Sequence, residues 1–208
     1  MGDASSSSGK PSRRGLPFIL ELPLLIVVAL AVAVLIKTFL LQAFWIPSSS
    51  MVPTLEVEDR VLVSKLDYRF GQPEPGDVVV FESPYGGEGS DESLLALAGR
   101  TILESLGIRT AGLPEDFIKR VIAGPGQTVE ILDNRVVVDG LPLLEPYLAP
   151  GSAMSDRAEE LVPEGYLWVM GDNRNHSSDS RVFGPIPIDE VVGRAFVLMW
   201  PLDRWRGL

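Results

Sequence analysis

From Leu16 to Ile46 the chain is apolar except at Glu21, Lys37, Thr38, Gln42 and two prolines, and Leu24 to Ile36 is unbroken Leu, Ile, Val and Ala. Some 20 residues of helix at about 1.5 Å each cross a hydrocarbon layer of about 30 Å, so this stretch predicts a membrane-spanning helix. Pro23 falls in its first turns, where a helix tolerates proline. Lys37 suits snorkelling, and Phe44 and Trp45 suit the headgroup level. Residues 1–15 are rich in Ser, Gly and Pro and read as a disordered cytoplasmic tail. Lys10, Arg13 and Arg14 precede the apolar run, which predicts an N-terminus inside and everything after Ile46 outside. A cleavable secretory signal is the competing reading. Against it, the run is long and no clear Ala-x-Ala follows. The expected division is a tail over 1–15, a single-pass signal-anchor over 16–45 and a β-rich domain over 46–208.

With 208 residues the chain has room for the anchor and one globular domain. It has no cysteine, so disulfides, a thiol nucleophile and thiolate metal sites are excluded. A single histidine, His176, excludes a two-histidine metal site, and the net charge of −10 argues against nucleic acid as a partner. No metal or cofactor is implied.

Beyond the anchor, short β-branched runs are bounded by turn residues: Arg60–Ser64, Asp77–Phe81, Phe117–Ile122, Thr128–Leu132, Arg135–Val138, Gly165–Met170 and Val191–Trp200. Asp133-Asn134 marks a tight hairpin. The fold expected is mainly β, an antiparallel barrel-like domain rather than βαβ units. One stretch departs from this. After the glycine-rich, acidic Gly86–Asp91, the residues Leu94, Leu95, Ala98, Ile102 and Leu106 recur at helical spacing, predicting a small α segment within an insertion over 86–115.

Three segments carry chemistry. Ile46-Pro-Ser-Ser-Ser-Met-Val-Pro-Thr54 places three hydroxyls in a bend between two prolines; a plain Ser-rich juncture is the alternative reading of these nine residues. Phe117-Ile-Lys-Arg-Val121 sets Lys119 in a strand-like run, on one face with Phe117 and Val121. A lysine becomes a base only when burial penalises its ammonium form, and Lys119 and Arg120 also read as surface charges. Gly171-Asp-Asn-Arg-Asn-His-Ser-Ser-Asp-Ser-Arg181 adds hydroxyls and paired charges.

In this order behind an N-terminal anchor, the three segments resemble the type I signal peptidases, membrane-bound Ser-Lys endopeptidases, over most of the chain after Phe39. The resemblance implies Ser50 as nucleophile and Lys119 as general base. It implies Ser48 beside the Ser50 N–H in the oxyanion hole, Ser177 orienting the lysine, and Asp179 with Arg181 as a structural brace. Asp172 and Arg174 read equally well as a solvated charged turn. His176 occupies a variable position and reads as a surface loop residue. By the same pattern Ile46, Met51, Leu55, Val80 and Ile118 line shallow apolar pockets for a small-x-small motif, though each also reads as core.

Two positions depart from the family pattern: Ser49 stands where glycine is common, and Ala123-Gly124-Pro125-Gly126-Gln127 replaces Gly-Leu-Pro-Gly-Asp. The implied partners are signal-peptide-bearing preproteins, the phospholipid bilayer and the protein-export machinery. The implied location is the bacterial inner membrane, with the catalytic domain on the periplasmic face. A self-cleaving Ser-Lys protein of the SOS-repressor type and an inactive tethered β-domain are the alternatives. No DNA-binding head supports the first. The presence of Ser50, Lys119, Ser48 and Ser177 together counts against the second.

Overall fold

The computed structural model describes residues 18–85 and 116–208; the insertion helix expected within 86–115 and the tail over 1–15 lie outside the described residues. The chain divides into two compact units, Met1–Thr38 and Phe39–Leu208.

In the first unit, helix α1 (Phe18–Phe39) carries Pro23 near its start. Its side chains are described for residues 22–33, where Leu22, Leu24, Leu25, Ile26, Val27, Val28, Leu30 and Val32 are each 47–61% exposed. Among the described residues no helix is long and apolar enough to cross a membrane.

The second unit is antiparallel throughout. Its strands are β1 (Leu41–Trp45), β2 (Arg60–Ser64), β3 (Val78–Phe81), β4 (Phe117–Ala123), β5 (Thr128–Leu132) and β6 (Arg135–Val138). They continue as β7 (Leu141–Pro142), β8 (Arg157–Leu161), β9 (Tyr166–Met170), β10 (Ile186–Pro187), β11 (Val191–Trp200) and β12 (Arg206–Gly207). Two short helices, α2 (Asp67–Phe70) and α3 (Ser180–Phe183), interrupt them. The larger sheet runs β1-β2-β11-β3-β4-β9-β10 with β12 on β11, and the smaller runs β7-β6-β5-β8.

Two expectations differ from this architecture. The anchor reading carries the helix to residue 45, but α1 ends at Phe39 and Leu41–Trp45 pairs with β2, Leu41 opposite Ser64 and Trp45 opposite Arg60. Apolarity continues across the junction; the periodicity does not. Leu41, Ala43 and Trp45 face out while Gln42 and Phe44 turn inward, an alternation only a strand produces. Nor does the sheet close as a barrel: among the described strands, pairing is an open path that leaves β1 and β10 as edges.

Burial explains the two central strands. Every residue of β3 is buried, and alternation sends Val78 and Val80 into one cluster with Ile46, Met51, Leu55, Val61, Val63 and Ile118. Val79 and Phe81 go to the opposite face with Val121, Leu167, Val169 and Ile186. A third cluster, around Trp168, Ile122, Val129 and Ile131, joins the two sheets. A strand covered on both faces reads as a continuous apolar run, as Val78-Val-Val-Phe81 does. Asp133 and Asn134 both take positive φ, 49° and 62°, the backbone of a two-residue hairpin turn.

Gly193 in β11 is a tight point: a Cβ there would lie 2.2 Å from the Ser64 carbonyl oxygen, a backbone atom that cannot rotate aside. Gly193→Ala is expected to destabilise the domain by about 1–3 kcal/mol, read as a lower urea midpoint at unchanged slope.

Candidate active site

β4 is the strand on which the site is built, and six of its seven residues are buried. Lys119 is 4% exposed, yet it is a lysine between two core clusters. Its Nζ lies 2.8 Å from Ser50 Oγ and 2.9 Å from the Ile118 carbonyl oxygen, and 5.3 Å from the centre of the Phe117 ring. Burial pushes the ammonium down to about 8, against a weaker upward pull from Asp179 and Asp172. An amine that releases its proton near neutrality, in contact with a hydroxyl, is chemically a base facing its acid.

Ser50 sits in the bend that the flanking prolines enforce. Val52 N–H donates to the Ser49 carbonyl and Leu55 N–H to the Met51 carbonyl, closing two successive turns. Ser50 is 7% exposed, with Ser48 Oγ 3.4 Å from its Oγ. The segment after β9 fastens onto this bend: Asn173 N–H donates to the Ser50 carbonyl at 3.0 Å.

That segment is far from a solvated turn. Asp172 is fully buried and takes a two-pronged bond from Arg120, at 2.9 and 2.7 Å, together with the Thr54 hydroxyl. Arg174, 3% exposed, pairs with Glu145 and donates to the Gly171 carbonyl. The solvated reading of Asp172 and Arg174 is therefore corrected; their partners stand 52 and 29 residues away in the chain, where local pattern gives no sign of them. Asp179 and Arg181 form the expected two-pronged pair, both bonds 2.8 Å. Burial alone would raise the Asp179 carboxyl, but Arg181, the Gly171 N–H and Ser177 hold it below its ordinary value. Asp179 also caps α3, and His176 is exposed.

The sequence matches the family described as "Signal peptidase, peptidase S26" over residues 19–200. The chain belongs to that signal peptidase family. Signal peptidase I of Mycobacterium tuberculosis is 37% identical over 233 aligned positions, covering 97% of this chain and 79% of that protein. A probable signal peptidase I of Synechocystis is 40% identical, covering 92% of this chain and 87% of its own length. A crystal structure of a signal peptidase I from Enterococcus faecalis overlaps with a TM-score of 0.42 at 26% identity, covering 59% of this chain and 96% of that one. The family assignment rests on the sequence matches. The protein is a serine protease of the signal peptidase I type, and it removes signal peptides.

Within this signal peptidase, the remaining residues named from sequence fall as follows. Ile46, Met51, Leu55, Val80 and Ile118 belong to one core cluster and are 0–6% exposed. Ser177 Oγ is buried and makes no hydrogen bond of sound geometry, to Lys119 or elsewhere among the described residues, although it lies close enough to Asp179 to help hold that carboxyl low. Gln127, one of the two departures from the family pattern, accepts the Gly124 N–H at 2.9 Å through Oε1 and donates to Asp139 at 2.9 Å, so an amide side chain closes that turn. Among the described residues, no group of three His, Cys, Asp or Glu side chains gathers as metal ligands would.

Sequence reasoning passed over Gly171. A Cβ there would lie 2.2 Å from Ser177 Oγ and 2.5 Å from the Ser50 carbonyl oxygen, so glycine is what lets the two segments close on each other. Gly171→Ala is expected to cut signal-peptide cleavage at least about tenfold, since displacing catalytic groups by about 1 Å carries penalties of up to a hundredfold.

The buried amine also costs stability. Below pH 8 the folded state holds a charge in apolar surroundings, and between about 8 and 10.5 the unfolded chain binds the proton that the folded one has lost. Lys119→Met is expected to stabilise the domain by up to about 3 kcal/mol at pH 7. The gain shrinks as pH rises from about 8 and vanishes near 10.5, which denaturation at a series of pH values measures.

Proposed function

We propose that the protein cleaves preproteins after a small-x-small motif with a Ser50–Lys119 dyad, held at the membrane by the segment over 16–39. The observation that carries the reading is the 2.8 Å contact between a buried amine, pushed down to about 8, and the Ser50 hydroxyl. With the amine neutral, that contact reverses and the hydroxyl donates. Lys119 takes the proton as Ser50 Oγ bonds to the scissile carbonyl carbon. The Ser50 N–H and the Ser48 hydroxyl receive the oxyanion. As the C–N bond breaks, the Lys119 ammonium returns its proton to the leaving amine. A water then repeats the sequence on the acyl-enzyme and frees the signal peptide. Ser177 orients the amine once it is neutral, with Asp179 and Arg181 bracing the loop.

Peptide binding follows from an incomplete ladder. β4 meets β9 from Arg120 onward, so on that side Phe117 to Lys119 have no strand partner among the described residues. An extended peptide adds to such an edge by main-chain bonds, its alternate side chains turned toward the enzyme. Ile46, Met51, Leu55, Val80 and Ile118, which share one core cluster, are the side chains this reading assigns to the shallow pockets for a small-x-small motif. The apolar run over 16–39 supports a single-pass anchor with an inside N-terminus and the catalytic unit on the outer face of a bacterial inner membrane. Tethering confines enzyme and membrane-embedded substrate to one surface, which raises their effective concentration. The bilayer and the export machinery are the partners this arrangement calls for.

The test is cleavage of a preprotein by the full chain in detergent, beside Ser50→Ala and Lys119→Met. Each variant is expected to lose at least about a hundredfold in kcat. Turnover within about threefold of the parent would remove the altered residue from the dyad. Because the neutral amine is the active form, kcat/KM for the parent is expected to rise with pH and to level off above about 8.

A further inference from the structure

The Ser50 N–H donates to no group among the described residues, although it sits in a segment where neighbouring backbone groups are paired. An N–H beside the proposed nucleophile and left unclaimed is useful only if it points at the reacting carbonyl, and its direction is not set by Ser50 alone. The Ser49–Ser50 peptide is planar and trans, so the Ser50 N–H and the Ser49 carbonyl point in opposite directions as one rigid unit. Whatever holds the carbonyl aims the N–H.

Two donors hold it. Val52 N–H reaches the Ser49 oxygen at 3.1 Å from within the bend itself, and Asn173 Nδ2 reaches it at 3.0 Å from the segment after β9. The Asn173 backbone N–H holds the next carbonyl, that of Ser50, at 3.0 Å. One residue therefore grips two consecutive peptide units, and the Ser50 N–H belongs to the first of them. Asn173 is itself fixed on both sides. Its carbonyl accepts the His176 N–H at 3.0 Å, and the adjoining Asp172 is locked by Arg120.

We infer that Asn173 is a positioning residue for the oxyanion hole: its side-chain amide fixes the Ser49–Ser50 peptide so that the Ser50 N–H faces the developing oxyanion. Asparagine meets the requirement because the carbonyl needs a donor. An aspartate of the same size would present a second acceptor to the Ser49 oxygen and push that plane away. The inference rests on the reading of Ser50 as nucleophile and oxyanion donor. It predicts a loss confined to the transition state, because substrate in its ground state makes little use of a hole shaped for the tetrahedral intermediate.

The experiment compares Asn173→Ala, Asn173→Asp, Ser48→Ala and Ser50→Ala with the parent, in the full detergent-solubilised chain. It reads kcat, KM, the pH midpoint of kcat/KM, and affinity for two peptides of one sequence, a C-terminal boronate and an uncleavable ground-state peptide. Both Asn173 variants are expected to lose about tenfold or more in kcat, with KM and the pH midpoint unchanged. Boronate affinity is expected to fall by a similar factor while the uncleavable peptide binds as before. Adding Asn173→Ala to Ser48→Ala is expected to cost less than the sum of the two single losses, since both act on one oxyanion. The inference is overturned if kcat stays within about twofold, or if the loss appears in KM or as a displaced pH midpoint, which would mark general damage to the fold or the dyad. A thermal melt accompanies each variant; should Asn173→Ala not fold, the equally sized Asn173→Asp decides between these outcomes. Active Ser50→Ala would defeat the underlying dyad reading, whereas inactive Ser50→Ala beside normal Asn173 variants would defeat this inference alone.

Discussion

An amine kept out of water sets the terms for the rest of this domain. Lys119 has apolar clusters on either side of its strand and two carboxylates, Asp172 and Asp179, close enough to pull its proton affinity back up. Each of those carboxylates is bound by two bonds to an arginine of its own, Arg120 for Asp172 and Arg181 for Asp179. A guanidinium remains charged at any working pH, so each pair is close to neutral as seen from the lysine. The carboxylates serve as hydrogen-bond acceptors for Thr54 and the Gly171 N–H without restoring the ammonium. Burial prevails because the nearby charge is already matched.

The larger strands and the 133–134 hairpin were legible because their signals are local: β-branched runs, bounding turn residues, and two residues that tolerate positive φ. Strand β1 was not, since Leu41–Trp45 continues an apolar helix without a change in composition. Only its register against Arg60–Ser64 separates it. The importance of Lys119 was legible only in part. Alternation placed it on a face with Phe117 and Val121, but its partner is in the Ser50 bend, 69 residues away by chain. Asp172 and Arg174 looked like solvent-facing charges for the same reason. Their neutralising partners, Arg120 and Glu145, lie outside any window that local pattern covers.

One loop of the smaller sheet reaches both sides of the site. Between β7 and β8, Glu145 accepts from Arg174 and from the Tyr147 hydroxyl, while the Tyr147 ring lies 4.1 Å from the Arg120 guanidinium carbon. Arg120 adjoins Lys119, and Arg174 donates to the Gly171 carbonyl beside the Ser50 bend. The loop thus touches the Lys119 strand at one end and the segment bonded to the Ser50 bend at the other. A guanidinium stacked on an aromatic face and bonded along its edges has little freedom left, and its fixed position is passed to the neighbouring strand residue.

A histidine base brings a rigid ring with two distinct nitrogens, one to accept the proton and one to be held in place. A lysine brings a flexible four-carbon stem ending in a single nitrogen. Orientation therefore has to come from the walls. Here they supply the Ile118 carbonyl at 2.9 Å, the Phe117 ring at 5.3 Å and the Ser50 hydroxyl at 2.8 Å, three contacts from three directions. Two of the three belong to the strand that carries the lysine, so they move with it. The third belongs to a separate bend and is the one that needs an independent clamp. This explains why the segment from Gly171 to Arg181 is so densely bonded while making few contacts with the amine: it holds the Ser50 bend still, and the strand holds the amine.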